Sequence, residues 1–169
     1  MKHIILYGLL FFLPITTFAQ ETECACCTEQ HSQFDFWIGD WEVFNENGDK
    51  VGENLVIKLE DNCILNENWK AENGSSGKSY NYYDPSDKTW NQLWISNFGN
   101  ILKLKGKAEN NKMILKSEVQ KGKKGEYYNQ ITWTKNQDGS ITQHWQILDA
   151  QENFLSDAFK GVYRKKQDN

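Results

Sequence analysis

Alanine and leucine are sparse in this 169-residue chain, and proline occurs only twice. A shortage of strong helix formers argues against a helical bundle, and no amphipathic stretch of helical period and useful length is found. Beyond the first 20 or so residues, no apolar run approaches the roughly 20 residues that a membrane-spanning helix needs. No Gly-x-Ser-x-Gly elbow, His-Glu-x-x-His pair or phosphate-binding loop is present, which removes the common nucleophile and metal routes to catalysis. Basic residues are not in excess either: the formal net charge is -4. That mild acidity argues against a dedicated nucleic-acid partner.

What the chain has in abundance is aromatic surface, 14% of its residues, with seven Trp, seven Tyr and nine Phe. Aromatic and β-branched side chains suit a pleated, half-buried surface, so this is the composition of a β protein. The first 19 residues carry a basic start at Lys2, an apolar run from Ile4 to Phe12 and a small-residue exit at Thr17-Phe18-Ala19. This is the layout of a cleavable signal peptide. The residues before Cys24 lack a lipid-attachment pattern, so export to a periplasm or beyond is expected without a lipid anchor. Four cysteines, Cys24, Cys26, Cys27 and Cys63, would then enter an oxidising compartment. One disulfide from Cys63 to the amino-terminal cluster is expected, with Cys27 as its first-choice partner. The other two are bridged to each other or free. The expected organisation is a signal peptide over 1–19, a flexible Cys-rich leader over 20–33 and one barrel domain over 34–166.

From Phe34 onward, short alternating segments are separated by turn residues every 8 to 12 positions or so, the pattern of an all-β sandwich or barrel. Ten strands are expected, at about 39–44, 51–59, 63–71, 78–83, 89–96, 101–108, 112–119, 126–134, 140–148 and 154–164. The last carries an irregularity near Ser156-Asp157. Short consecutive turns mean an antiparallel meander, and closing it on itself removes both exposed edges. A flat ten-strand sheet would need a second layer, for which the chain has no residues to spare. An up-and-down barrel is therefore the expected fold, with a β-sandwich as the alternative.

Phe34-Asp35-Phe36-Trp37-Ile38-Gly39-Asp40-Trp41-Glu42-Val43 at the start, with Phe159-Lys160-Gly161-Val162-Tyr163-Arg164 at the end, resembles the calycin superfamily of lipocalins, fatty-acid-binding proteins and nitrobindin-like barrels. More closely, Phe-Asp-Phe-Trp-x-Gly-x-Trp after a signal peptide looks like a group of secreted bacterial lipocalin-like proteins of unknown function. The resemblance implies a 3₁₀ plug at Phe36 and Trp37, a first strand opened by Gly39 and Trp41, and Arg164 of the closing strand lying across Trp41 as a cation–π cover. Ten strands fit the fatty-acid-binding or nitrobindin branch better than the eight of true lipocalins. A nitrobindin-like barrel would hold haem iron through a strand histidine, and His144 is the only histidine on an expected strand.

Three segments set aromatics beside amides: Trp90-Asn91-Gln92-Leu93-Trp94, Tyr128-Asn129-Gln130-Ile131-Thr132-Trp133 and Gln143-His144-Trp145-Gln146-Ile147. In strand alternation Trp90, Gln92 and Trp94 share one face. Amides next to indoles suit a ligand with flat apolar faces and hydrogen-bonding edges, such as a sugar, an aromatic metabolite or a tetrapyrrole. Trp69, Tyr82, Trp90, Gln92, Trp94, Gln130 and His144 are the candidate lining. Among the strand carboxylates, Glu67 and Glu126 are the pair an enzymatic reading would use, although nothing in their spacing singles them out. Cys24, Cys26, Cys27 and His31 form a soft ligand set, but a disulfide is the better use of those thiols. Eight lysines between Lys103 and Lys124 alternate with apolar residues and are the solvated face of a hairpin. The sequence thus points to a non-enzymatic, exported barrel that binds a small amphipathic molecule. The alternatives are a filled barrel acting as a protein- or glycan-interaction module and, behind it, a hydrolase or isomerase. Ligand identity and oligomeric state are left open.

Overall fold

The computed structural model describes residues 24–167; the expected signal peptide lies outside the described residues. A four-residue helix α1 (Glu29–Ser32) and a single 3₁₀ turn (Asp35–Trp37) precede eleven strands: β1 (Gly39–Phe44), β2 (Lys50–Leu59), β3 (Ile64–Ala71), β4 (Ser76–Asp84), β5 (Thr89–Ser96), β6 (Ile101–Glu109), β7 (Lys112–Lys116), β8 (Gln120–Gly122), β9 (Gly125–Lys135), β10 (Ile141–Asp149) and β11 (Phe154–Lys165). All belong to one antiparallel sheet, which closes because β10 pairs with both β9 and β11 while β1 joins β11 to β2. β7 and β8 lie on the same flank of β9 and act as one interrupted strand, so the ring has ten staves. The barrel expected from the turn spacing is therefore the observed fold, and its shape is consistent with a calycin-like barrel.

The interruption of the seventh strand has a local cause. Ser117 N–H donates to the Asn129 carbonyl at 2.8 Å, but the Asn129 N–H donates to the Ser117 hydroxyl at 2.9 Å instead of to a backbone carbonyl. A side chain has taken the place of a ladder acceptor, and β-pairing resumes only at Gln120. The irregularity expected in the last strand is also present, as register shifts against β10 between Trp145 and Gln146 and between Ile147 and Leu148.

Strand alternation sorts the side chains. In β6, Leu102 and Leu104 are buried while Ile101, Lys103, Lys105 and Lys107 are not, so the lysine-rich hairpin is indeed a solvated face. In β2, Gly52, Asn54 and Val56 point inward and Leu55 and Ile57 outward.

One end of the barrel is shut by the residues ahead of β1. Phe34 and Trp37 are fully buried and stack on each other with ring centroids 4.9 Å apart. Phe34 meets Trp90 and Trp133 edge-on at 5.7 and 5.2 Å, and Trp37 packs on Trp133 at 5.1 Å. Phe36, expected as the second half of the plug, is only half-buried against this cluster, and Phe34 takes its place. A 3₁₀ turn repeats every three residues, which puts Phe34 and Trp37 on one face and Phe36 beside it.

Trp41 is buried under β11 and donates its indole N–H to the Trp37 carbonyl at 2.9 Å. The cation over it is Lys165, whose Nζ sits 4.1 Å from the ring centroid and donates to the Ile38 carbonyl at 2.7 Å. Arg164, expected in that place, lies over Phe44 at 5.2 Å. The register explains the exchange: Trp41 pairs with Lys165, while Arg164 opposes Glu42 on the other face.

Disulfides anchor the same end, Cys26 to Cys63 and Cys24 to Cys27. Cys63 has a partner in the amino-terminal cluster as expected, but it is Cys26 and not Cys27. Cys27 instead reaches back across a turn in which its own N–H donates to the Cys24 carbonyl at 3.2 Å. Of the expected leader, residues 24–33 are thereby tied to the β2–β3 turn. Replacing Phe34 by Ala should lower stability by about 3–5 kcal/mol in urea unfolding, as for other buried aromatics. Phe36→Ala should cost less than half as much.

Candidate functional site

Above the aromatic plug the interior changes character. Asn54 of β2, Glu67 of β3, Ser79 and Asn81 of β4 and Gln92 of β5 are all buried and face inward. They form one chain of hydrogen bonds. Asn54 Nδ2 donates to Glu67 Oε1 at 2.9 Å, and the Ser79 hydroxyl donates to Oε2 at 2.7 Å. Asn81 Nδ2 donates to Ser79 Oγ at 2.9 Å, and Gln92 Nε2 to Asn81 Oδ1 at 2.8 Å. From the opposite wall, the Tyr163 hydroxyl donates to Gln143 Oε1. Cross-strand neighbours place these groups side by side: Glu67 opposes Ser79 and Asn81 opposes Gln92. Each polar group thus finds its partner one strand away.

Beyond this belt lies a cavity of about 260 Å³, near the lower bound of roughly 300 Å³ for small-molecule sites. Its base is Glu67, Gln92, Gln143, Tyr163 and Trp133, and its walls include Trp69, Trp94, Trp145 and Phe159. Ser75, Phe98 and Asn100 bring it to the β3–β4 and β5–β6 turns, at the end of the barrel opposite the plug. Phe98 is 72% exposed there.

The indoles are held by glycine. A Cβ on Gly77 would fall 2.6 Å from the Trp94 ring, and one on Gly52 would fall 2.6 Å from Trp69. Each ring therefore lies flat over a neighbouring strand where only a hydrogen leaves room. Trp145 is fixed by its N–H, which donates to Asn129 Oδ1 at 2.8 Å, and Trp69 meets Phe159 edge-on at 6.1 Å.

Among the described residues Glu67 is the only one lining the cavity whose side chain can carry a charge near neutral pH. Burial pushes its pKa from 4.5 to about 7, against the hydrogen bonds from Ser79 and Asn54, which pull it down. The Tyr163 phenol is held well above its ordinary value of 10, by burial first and by the nearby Glu67 second. It stays protonated and donates.

Of the seven expected lining residues, Trp69, Gln92 and Trp94 line the cavity. Trp90 shares their inward face but lies at the floor, packed on Phe34 with its N–H donating to Gln33 Oε1 at 3.2 Å. Tyr82 is 43% exposed on the outer face of β4. Gln130 lies between the inward-facing Asn129 and Ile131, so it points away from the cavity. His144 likewise sits between Gln143 and Trp145, which line the cavity, and bonds outside the barrel to Asp157 at 2.7 Å. Among the described residues no histidine lines the cavity, so those present there do not fit axial ligation of a haem. The soft ligand set is also spent. All four cysteines are in disulfides, and His31 Nδ1 is 2.8 Å from the Thr28 hydroxyl. Among the described residues no other group of His, Cys, Asp or Glu is placed to hold a metal. Glu126 is exposed in the β8–β9 hairpin and makes no pair with Glu67.

Gln143, Trp145, Phe159 and Tyr163 line the cavity without being among the expected lining, although a signal for the first two is present in the sequence. A tryptophan on a strand marks the inward phase, and Trp145 places Gln143 inside and His144 outside. His144 has the chemistry of a ligand but the phase of the outer face.

Glu67 carries a stability prediction. Its folded pKa of about 7 exceeds the unfolded value of 4.5, so the native state holds a proton that the unfolded chain releases. The contribution of Glu67 to stability should be greatest below about pH 4.5, fall as pH rises toward 7 and level off above it, a loss of about 3 kcal/mol from this group. Glu67→Gln should remove that slope and stabilise the protein at about pH 8, as read by urea unfolding across pH.

No protein-family model matches the chain, and a comparison with curated proteins found no match. The residues of the cavity are therefore the ground on which its function is read.

Proposed function

We propose that this protein is an exported, non-enzymatic barrel of the lipocalin-like secreted group whose Phe-Asp-Phe-Trp-x-Gly-x-Trp motif it carries, and that it binds a small amphipathic molecule in its cup. The observation that carries this reading is the coexistence in one open cavity of flat aromatic walls, Trp69, Trp94 and Trp145, and a hydrogen-bonding base, Glu67, Gln92 and Gln143. A barrel meant only to be stable would fill this space with aliphatic side chains. A pure fat carrier would line it with them. Two disulfides support an oxidising compartment and hence export to a periplasm or beyond. Among the described residues no helix is long and apolar enough to cross a membrane.

A second reading, an interaction module, is favoured by the outer face of β2, β4 and β5, where Leu55, Tyr80 and Ile95 are each 43% exposed. Recovery of a partner from native envelope extract that Tyr80→Lys abolishes would support it.

Tryptophan fluorescence titrated with lipids, sugars and tetrapyrroles tests the cup. Ala158 is exposed and lines the cavity, so Ala158→Phe should obstruct it without disturbing the core. We expect a bound compound to lose about tenfold or more in affinity, about 1.4 kcal/mol, in that variant. His144→Ala should leave binding unchanged. Fluorescence unmoved across the whole set would remove the cup as a binding site.

A further inference from the structure

The sign of the charge in the cup restricts what can enter it. Glu67 is 5% exposed and lines the cavity, and among the described residues no Lys, Arg or His shares that lining. Its two oxygens accept from neutral donors only, the Asn54 amide and the Ser79 hydroxyl. Each oxygen keeps an unused lone pair. A buried carboxylate without a cation is costly, and proteins usually neutralise it with Lys, Arg or a metal. Here none of the described residues on the cavity wall supplies that countercharge.

The walls have the same electrostatic preference. Trp69 shares the inward face of β3 with Glu67 two residues away, about 7 Å along the strand. Trp94, Trp145 and Phe159 complete an aromatic surround. Ring faces carry negative quadrupole potential and attract a cation, while they repel an anion. A carboxylate at the base of such rings is hostile to fatty acids, phosphates and other anions.

Resting on the reading of the cup as a ligand site, we propose that its ligand is an organic cation, a quaternary ammonium or protonated amine whose charged head lies among Trp69, Trp94 and Trp145 with the Glu67 carboxylate as its countercharge. The apolar part of the ligand then faces Phe159 and Phe98 toward the mouth. Gln92 and Gln143 remain available for polar substituents. Because the cation favours the ionised carboxylate, its binding expels the proton from Glu67, and affinity rises as pH passes upward through about 7. The groups facing Glu67 from the neighbouring elements are Asn54 and Val56 of β2, Ser79 and Asn81 of β4 and Tyr163 of β11. Of these only Tyr163 titrates, and it stays protonated throughout.

Three probes of one shape but different charge decide the matter by tryptophan fluorescence: benzyltrimethylammonium, its neutral carbon isostere neopentylbenzene, and the anion phenylmethanesulfonate. At about pH 8 the cation should bind at least tenfold more tightly than the neutral probe, with the anion weakest. That advantage should shrink about tenfold at about pH 5.5 in the native protein, and to the same degree at pH 8 in Glu67→Gln. The pH series on the native chain keeps the test valid should the variant fold poorly. Equal binding of the neutral probe, tighter binding of the anion, or an undiminished advantage in Glu67→Gln would overturn the cation assignment while leaving the cup as a site. Failure of all three probes, with Ala158→Phe indistinguishable from the native protein, would overturn the cup as well.

Discussion

Ten staves close a ring wider than their own side chains can fill, since about eight is the number at which a barrel interior is just occupied by its residues. Everything else in this protein follows from how that surplus space is handled. At one end the chain folds its own preceding segment into the opening, so that Phe34 and Trp37 close against Trp90 and Trp133. At the other end no comparable segment enters among the described residues. The space stays open as a cavity of about 260 Å³.

Between the two ends lies the polar belt. Asparagine, glutamine, serine and glutamate inside a barrel cost desolvation unless each is bonded, and here the bonds run from strand to strand around the wall. Within the belt Asn54 Oδ1 has no partner, and the Glu67 carboxylate, although each of its oxygens accepts one bond, has its pKa raised by burial that two neutral donors do not offset. A site that tolerates such a cost at the base of an open cup is placed to be completed by a ligand. The aromatic residues above it, seated on Gly52 and Gly77, cannot easily move aside, so the shape of the cup is set by backbone as much as by side chain.

Much of the architecture was legible in the chain. Period-two alternation and the spacing of the Asn-, Gly- and Asp-rich turns placed ten strands, and short turns between all of them left few topologies other than a closed meander. The plug was legible in position but not in phase, because on a turn of three Phe34, three residues before Trp37, shares its face, whereas Phe36, one before it, does not. The same sensitivity exchanged Arg164 for Lys165 over Trp41, where antiparallel register decides which of two adjacent cations faces the ring. The candidate site was half legible. Trp69, Gln92 and Trp94 follow from the inward phase of their strands, whereas Gln130 and His144 have the chemistry of lining residues but lie on the outer face.

Composition, alternation and turn chemistry are local properties, and they determined that this chain makes one β-barrel with an aromatic plug at its amino end. Which cysteine meets Cys63, which cation covers Trp41 and which face of each strand looks inward depend on register, and register is settled only when all ten staves close together. The cup depends on closure too. Glu67, Gln92, Gln143 and Tyr163 come from strands up to about a hundred residues apart, and only the curvature of the finished ring brings them to one cavity.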